Sequence, residues 1–166
     1  EYLKNRNSLF TRDIEQLDLI VSENFENFDN SENSVGNQIN NFTFDFKTIK
    51  EYKNIIGFEL LDTIVHINHQ TKQVINIIID DIPLVACIQN NENKHLITKL
   101  SINATGENIF QNEIGRSMLN RYFFPITLNK LDVRFENIQG QPVSLNLKHI
   151  SLMFRLTIVN NLNLLK

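Results

Sequence analysis

The residues best suited to metal chemistry are two histidines separated by two positions. His66 and His69 form an H-x-x-H pair, and Asp62 precedes His66 by four residues. On a helix, residues three apart share one face and could hold a metal ion together. The surrounding run, residues 55–67, is rich in Ile and favours a strand, on which residues three apart point to opposite faces. We therefore expect two histidines near a turn and no metal site.

The other candidates for chemistry are an acidic pair and a single cysteine. Asp80 and Asp81 follow an apolar run and precede Pro83, a pattern typical of a turn, whereas a glycosidase needs two carboxylates on opposed elements. Cys87 is the only cysteine, so no intramolecular disulfide can form, and its apolar neighbours predict a buried thiol. The chain contains no GxSxG, P-loop, GxGxxG, HExxH or CxxC motif. We expect no catalytic residue, no cofactor and no enzymatic activity.

Composition and charge restrict the possible partners. The chain has 166 residues and a net charge of −3, with no broad basic field, which argues against nucleic acid as the main partner. No apolar run approaches the ~20 residues that a membrane-spanning helix needs. A chain of this length can bury roughly two-thirds of its unfolded surface in one domain. Ala is scarce while Ile, Val, Thr and Phe are frequent, which favours strands over helices.

The clearest strand pattern lies in residues 122–160. Three runs alternate apolar and polar residues, at 131–136, 143–148 and 152–159, and a period of two is that of a strand with one buried face. Residues 137–140 join the first two runs and include Gly140, which accepts the positive φ of a tight turn. Pro142 suits the first position of a strand. The three runs predict a β-meander.

Further apolar runs extend the strand prediction to most of the chain. Residues 42–46, 74–79, 84–88 and 96–102 each predict a strand, and residues 55–67 predict one with a bulge near Gly57 or Asp62. Residues 109–119 suit either a short helix or an irregular connection. About eight strands separated by turn residues favour an antiparallel sandwich or barrel.

The N-terminal part of the chain differs from the rest. Residues 1–38 contain two short apolar patches and a polar stretch at 22–38, which predict an arm or loop. Phe25 and Phe28 lie within that stretch and suit either a contact with a partner or a local contact with the same domain. We expect a single domain over residues 39–160 and a C-terminal tail over residues 161–166.

Four segments resemble one family of viral proteins. They are NFTFDF at residues 41–46, YKNIIGFELL at 52–61, PITLNKLDVRF at 125–135 with Gly140 beyond it, and HISLMFRLTI at 149–158. The chain resembles the single jelly-roll capsid proteins of large double-stranded DNA viruses of eukaryotes and their virophages, above all their penton (vertex) proteins. The resemblance covers residues 39–159 and concerns strand patterns and one hairpin.

The resemblance implies a fold, a function and a set of partners. The fold would be an all-β, single eight-stranded antiparallel jelly-roll sandwich with an extended N-terminal arm. The protein would be a structural capsid protein that forms a homopentamer at the icosahedral five-fold vertices of the virion, after assembly in the host cytoplasm. It would contact the major capsid protein and possible minor capsid proteins, without nucleic acid or a membrane span. The polar faces of the late strands would supply contacts between subunits, and the candidates there are Asp132, Arg134, Glu136 and Arg155.

Two other readings of the sequence remain open. The chain also suits a minor capsid protein placed under or between capsomers. A jelly-roll module that binds carbohydrate or a receptor is the alternative from another class. That alternative needs exposed aromatic residues, yet the chain has no Trp and three Tyr. A jelly-roll hydrolase would rest on analogy of fold alone.

Overall fold

The computed structural model describes residues 14–25, 38–46, 52–69, 71–88, 93–103, 105–113 and 122–160, with the side chains of residues 112 and 113 excepted. Within these residues the fold is all-β, with ten strands and one short 3-10 helix at Leu84–Ala86. The strands are β1 (Ile14–Asn24), β2 (Gln38–Ile39), β3 (Asn41–Asp45), β4 (Tyr52–His69), β5 (Gln73–Ile79), β6 (Leu96–Ile102), β7 (Gly106–Glu113), β8 (Ile126–Leu128), β9 (Lys130–Glu136) and β10 (Leu145–Val159). The architecture is that of a β-sandwich.

The larger sheet, sheet A, is four strands wide, in the order β1-β10-β4-β7. Two short strands extend its edges. β2 continues the line of β1 along β10, and β8 pairs with the start of β4. Ile55 of β4 pairs with Ile158 of β10 and also with Ile126 of β8, so β8 lies on the side of β4 away from β10. All pairs in sheet A are antiparallel.

The smaller sheet, sheet B, has the order β3-β9-β5-β6 and is also antiparallel throughout. The chain passes between the sheets repeatedly, as from β2 to β3 and from β8 to β9. Each of these passages takes one residue, Asn40 or Asn129, whose carbonyl oxygen accepts a backbone hydrogen bond from Phe135 (3.1 Å) or Phe46 (2.8 Å). These bonds satisfy backbone groups at the points where a strand leaves one sheet for the other.

One hydrophobic cluster lies between the two sheets. Sheet A contributes residues such as Val65, Leu152 and Phe154, and sheet B contributes Ile77 and Phe135, all of them 0 or 1% exposed. Because strand side chains alternate, each sheet turns one apolar face inward and leaves the other for polar residues. Burial of this apolar surface supplies the main stabilisation of the fold.

Three β-bulges interrupt the long pairing between β4 and β10. The register shifts leave one unpaired residue at Lys148 on β10 and at Leu61 and Ile56 on β4. Each extra residue reverses which positions face inward. On β10, for example, Leu147 faces the core before the bulge and Ile150 faces it afterwards. The sequence predicted a bulge at Gly57 or Asp62, and the observed bulges are adjacent to these two residues.

The predicted β-meander is wrong, although its turn is present. β9 belongs to sheet B, whereas the second and third alternating runs form one strand, β10, of sheet A. The turn after β9 has Gly140 at a φ of 77° and closes through the backbone N–H of Asn137, which donates to Gln141 O at 2.9 Å. Only an isolated bridge between Glu136 and Pro142 follows, because the chain then crosses to the other sheet.

Three further expectations need correction. Residues 14–24, assigned to the arm, form an 11-residue strand of sheet A, so the sandwich begins before residue 39. Residues 84–88 contain a 3-10 turn rather than a strand, and Leu84 and Val85 there are 40% and 43% exposed. Part of the ambiguous segment 109–119 belongs to β7. The predicted strands at 42–46, 74–79 and 96–102 are confirmed to within a residue.

Several predictions lie outside the described residues. They concern the arm at residues 1–13 and 26–37, and the tail at residues 161–166. Within the described ranges, no helix is long and apolar enough to cross a membrane.

Candidate functional site

A row of charged side chains lies on the outer face of β9. Leu131, Val133 and Phe135 face the core, and the alternate residues form a row that we call the β9 charged row: Lys130, Asp132, Arg134 and Glu136. Three of the four predicted contact residues of the late strands are in this row. Each residue in the β9 charged row has a hydrogen-bond or ion-pair partner within the chain.

Glu136 is the most buried member of the row, with 4% exposure. Lys94 donates a hydrogen bond from Nζ to Glu136 Oε2 at 2.7 Å, and Arg134 donates from Nη1 to Oε1. A buried carboxylate is stable only when paired and hydrogen-bonded, and two cations meet that need here. Glu136 therefore ties the connection before β6 to β9.

Arg134 also forms a two-pronged pair with Asp80, at the turn that follows β5. Its Nε donates to Asp80 Oδ2 at 2.9 Å and its Nη2 donates to Oδ1 at 3.0 Å. The hydrogen bond from Arg134 holds the pKa of Asp80 below its usual value, and the same bond raises the pKa of Arg134. The predicted turn role of the acidic pair is confirmed, since Asp80 and Asp81 are turn residues.

Asp132 joins three separate parts of sheet B. Lys130 and Thr43 both donate to its carboxylate, the latter from Oγ1 to Oδ1 at 2.6 Å, and its backbone N–H donates to Asp81 Oδ2 at 2.6 Å. The bond from Lys130, followed by that from Thr43, lowers the pKa of Asp132. The same pairing with Asp132 raises the pKa of Lys130.

Arg155 lies on β10 of sheet A, whereas the β9 charged row lies on sheet B. Its Nε donates to Asp18 Oδ1 at 2.9 Å, across the β10–β1 pair, and this bond raises the pKa of Arg155. The predicted contact residues thus fall into two groups on opposite sheets, and each is engaged in pairs within the chain. Their role between subunits stays a prediction.

Phe25 makes a local contact. Its ring packs edge-on against Phe42 with centroids 5.2 Å apart, and its backbone N–H donates to Lys148 O at 2.9 Å. The side chain is half-buried against the core. Of the two alternatives for this residue, the structure contains the contact within the domain. Phe28 lies outside the described residues.

The two histidines of the H-x-x-H pair have separate partners. His66 Nε2 lies 2.8 Å from Glu107 Oε1, and Lys148 Nζ lies 2.9 Å from the same oxygen. These two partners, Lys148 first, lower the pKa of Glu107. His69 contacts Gln73, and burial lowers the pKa of His69. Across the part of the chain that the structure describes, no three His, Cys, Asp or Glu side chains are grouped to hold a metal ion.

Cys87 is buried, as its apolar neighbours predicted, with 4% exposure. Burial raises the pKa of its thiol to about 12, and the charge of Asp80 acts in the same direction. A thiol with such a pKa is protonated at neutral pH and is a poor nucleophile.

Sequence reasoning missed a set of exposed apolar residues on the outside of the sandwich. Ile20 is 63% exposed, Ile109 is 69% exposed and Phe124 is 92% exposed. Ile20 of β1 is directly opposite Met153 of β10, and Ile64 of β4 is in the next cross-strand row, on the same outer face of sheet A. We call Ile20, Met153 and Ile64 the apolar stripe. Had β1 been recognised as a strand, the alternation of its side chains would have placed the apolar Ile20 on the outer face.

Comparison of the sequence with protein-family models and with curated proteins finds no match. The assignment of function therefore depends on the strand pairing and on the surface chemistry described above.

Proposed function

We propose that the protein is a non-enzymatic, single jelly-roll capsid protein of a large double-stranded DNA virus, and that it is the penton of the five-fold vertices. It would act as a homopentamer within the virion and contact the major capsid protein. The observation that carries this proposal is the nested pairing of the strands.

Eight of the ten described strands have five or more residues, and they pair as nested couples. The outermost couple is β1 with β10, followed by β3 with β9, β4 with β7, and β5 with β6. Such nesting is expected when one long antiparallel ribbon folds over on itself. The β10–β4 and β5–β9 pairs then join the couples side by side into two sheets. A jelly roll has eight strands in two sheets, so this pattern supports the jelly-roll assignment.

The family-like segments coincide with strands of this scheme. Residues 41–46 correspond to β3, residues 52–61 lie in β4, residues 125–135 span β8 and most of β9, and residues 149–158 lie in β10. The resemblance was based on strand patterns, and the segments that carry it lie on adjacent strands in both sheets. This agreement supports the fold that the resemblance implies.

The surface chemistry also favours a mechanical role. The ion pairs of Glu136, Asp80 and Arg155 connect strands or turns that are distant in the sequence, as with Arg155 and Asp18, 137 residues apart. Ion pairs of this kind fix the relative positions of neighbouring strands. A net charge of −3 agrees with protein partners rather than nucleic acid.

Native mass spectrometry of the purified chain, alone and with added major capsid protein, tests the proposal. We expect a pentamer, or a monomer that the major capsid protein recruits into five-fold assemblies. A chain that stays monomeric and ignores capsid protein would contradict the penton assignment. Binding of that monomer to specific sugars on a glycan array would support the carbohydrate-binding module instead. Incorporation between capsomers without five-fold symmetry would support a minor capsid protein.

A further inference from the structure

We propose that one end of the β4–β10 strand pair is an acid-sensitive contact, which is closed at neutral pH and loosens when His66 and His149 are both protonated. The residues concerned lie on the outer face of sheet A, and we call them the histidine cluster: His66, Glu107, Lys148 and His149. The proposal does not depend on the capsid function, because it concerns strand pairing within one chain.

His66 and His149 are directly opposite each other on the same face. The strand register pairs His149 of β10 with His66 of β4. Val65 and Ile67, on either side of His66, are 0% exposed, and so is Ile150, which follows His149. Because these neighbours face the core, the two histidines face outward. Opposite residues of this kind have Cβ atoms ~4.5–5.5 Å apart, and like charges at such positions destabilise the strand pair.

The two histidines differ in their hydrogen-bond partners. His66 Nε2 donates to Glu107 Oε1 of β7 at 2.8 Å, and Lys148 Nζ lies 2.9 Å from the same oxygen. His149 instead donates from Nδ1 to Asn24 Oδ1 of β1 at 2.6 Å. One histidine is therefore bonded to a carboxylate and the other to a neutral amide.

The other described titratable groups of this region do not lie beside the pair on the outer face. Glu23 has the parity of the core-facing residues of β1, and His69, three residues after His66, has the parity of the inner face of β4. Lys72 lies in the connection from β4 to β5. Asp62 is on the outer face but four residues along the strand, ~13 Å away. The charge of the histidine cluster is therefore set by its own four members.

Acid affects the two sides of β4 differently. Histidine is the side chain that ordinarily gains a proton between pH 8 and pH 5. The hydrogen bonds from Lys148 and His66 lower the pKa of Glu107, so this carboxylate is still ionised at about pH 5.5 and remains the counter-ion of protonated His66. Protonated His149 then has one cation opposite it and another, Lys148, beside it on β10. The β4–β7 contact is therefore retained while the β4–β10 contact weakens.

The β-bulge at Lys148 interrupts the strand pair next to the two histidines. The register shifts between Leu147 and His149, and beyond the shift only Leu147 and Asn146 pair with β4. The ends of a strand pair open at a lower free-energy cost than its centre. We therefore expect the repulsion to be relieved by local separation of residues 145–149 from β4, while the rest of the sandwich stays folded.

Hydrogen exchange of the full chain, followed by mass spectrometry at about pH 7.5 and about pH 5.5, tests the proposal. Protection factors, which correct for the effect of pH on the chemical exchange rate, are compared for three segments. We expect protection of residues 145–150 to fall by roughly threefold at the lower pH. Residues 106–113 of β7 and residues 73–79 of β5 should keep their protection. An unchanged value at 145–150, or an equal fall in all three segments, would overturn the proposal.

Histidine substitutions identify the groups that respond. Because the repulsion requires two charges, His66→Gln and His149→Gln should each remove most of the fall in protection. His95→Gln is the matched control, since His95 precedes β6 of sheet B and contacts Ile82 O there, so this variant should show the same fall as the parent chain. A fall that persists in both His66→Gln and His149→Gln would overturn the proposal.

Salt gives a second readout that needs no substitution. Repulsion between partly exposed charges is screened by salt, so raising NaCl from about 0.05 M to about 0.5 M at the lower pH should restore most of the protection of residues 145–150. Loss of the hydrogen bond between His149 and Asn24 alone would not be restored in this way. A fall in protection that is independent of salt would therefore contradict the repulsion between the two histidines.

Discussion

Replacement of Thr63 by Val is expected to stabilise the protein. Thr63 is on β4, faces the core opposite Leu152 and is 1% exposed. Its Oγ1 is buried and has no hydrogen-bond partner among the described residues. A buried hydroxyl without a partner costs ~1–3 kcal/mol, because it leaves water without compensation.

Val has the shape of Thr and suits a strand equally well, so the substitution removes this cost without creating a cavity. We expect the free energy of unfolding to rise by ~1–2 kcal/mol. For a chain of this length, each kcal/mol corresponds to a shift in Tm of ~2–4 °C. The chain has no Trp, so urea unfolding is best followed by circular dichroism, with the denaturant slope compared to show that the unfolded state is unchanged.

Thr43→Val is the matched control because it is the same chemical change at a hydroxyl that has a partner. Thr43 Oγ1 donates to Asp132 Oδ1 at 2.6 Å on an exposed face, so its loss should destabilise the protein by ~0.5–1 kcal/mol. The two substitutions should therefore differ in sign. Destabilisation by Thr63→Val of the same size as Thr43→Val would show that burial and hydrogen-bond satisfaction do not govern these sites.

Three further predictions concern ionisable groups. Glu136→Gln leaves Lys94 and Arg134 without their shared carboxylate and should destabilise the chain by ~1–3 kcal/mol. A double-mutant cycle with Lys94→Met, measured by urea unfolding, should give a coupling free energy of ~1 kcal/mol between the two residues. Additive effects of the two substitutions would mean that the pair is not coupled. Arg134 lowers the pKa of Asp80 in the folded state. The Asp80 carboxylate therefore stabilises the fold at pH values above its usual pKa of 3.8, and this stabilisation is lost as the pH falls through the lower pKa of the folded state. Arg134→Met should reduce the fall in unfolding free energy between pH 5 and pH 2, and an unchanged slope would contradict this origin. Because the pKa of Cys87 is about 12, only roughly one thiol in ten thousand is ionised at pH 8. A thiol reagent should therefore react far more slowly with the native protein than with the urea-unfolded protein. Equal rates would show that the thiol is accessible.

The strand content could be predicted from the sequence where alternation is uninterrupted. β3 and β9 each keep one parity from end to end, so their core-facing residues could be named in advance. β1 was not recognised, because as an edge strand it buries only Leu19 and Val21 and leaves its other side chains half-buried or exposed. The run at Leu84 and Val85 resembled a strand by composition, yet these side chains are exposed in a 3-10 turn.

The surface features required knowledge of contacts between distant segments. Glu136 and Lys94 are 42 residues apart in sequence. They meet because Lys94 lies in the β5–β6 connection, which the fold places beside the end of β9. The exposure of Phe124 could not be read from YFFP, because Phe123 in the same segment packs against the core. Residue types therefore indicated which side chains carry charge or apolar surface, and the fold determined which of them face outward.

The bulge at Lys148 has a consequence for changes in chain length. Removal of this residue would join Leu147 directly to His149, and both the inward-outward alternation of β10 and its pairing with β4 would then continue without a shift. Removal of a residue away from the bulge would instead turn part of the strand inside out, because side-chain direction has a period of two. The two unpaired residues of β4, Leu61 and Ile56, offer the same freedom on the partner strand. Single-residue deletions should therefore be tolerated at these three bulges of the longest strand pair and rejected between them.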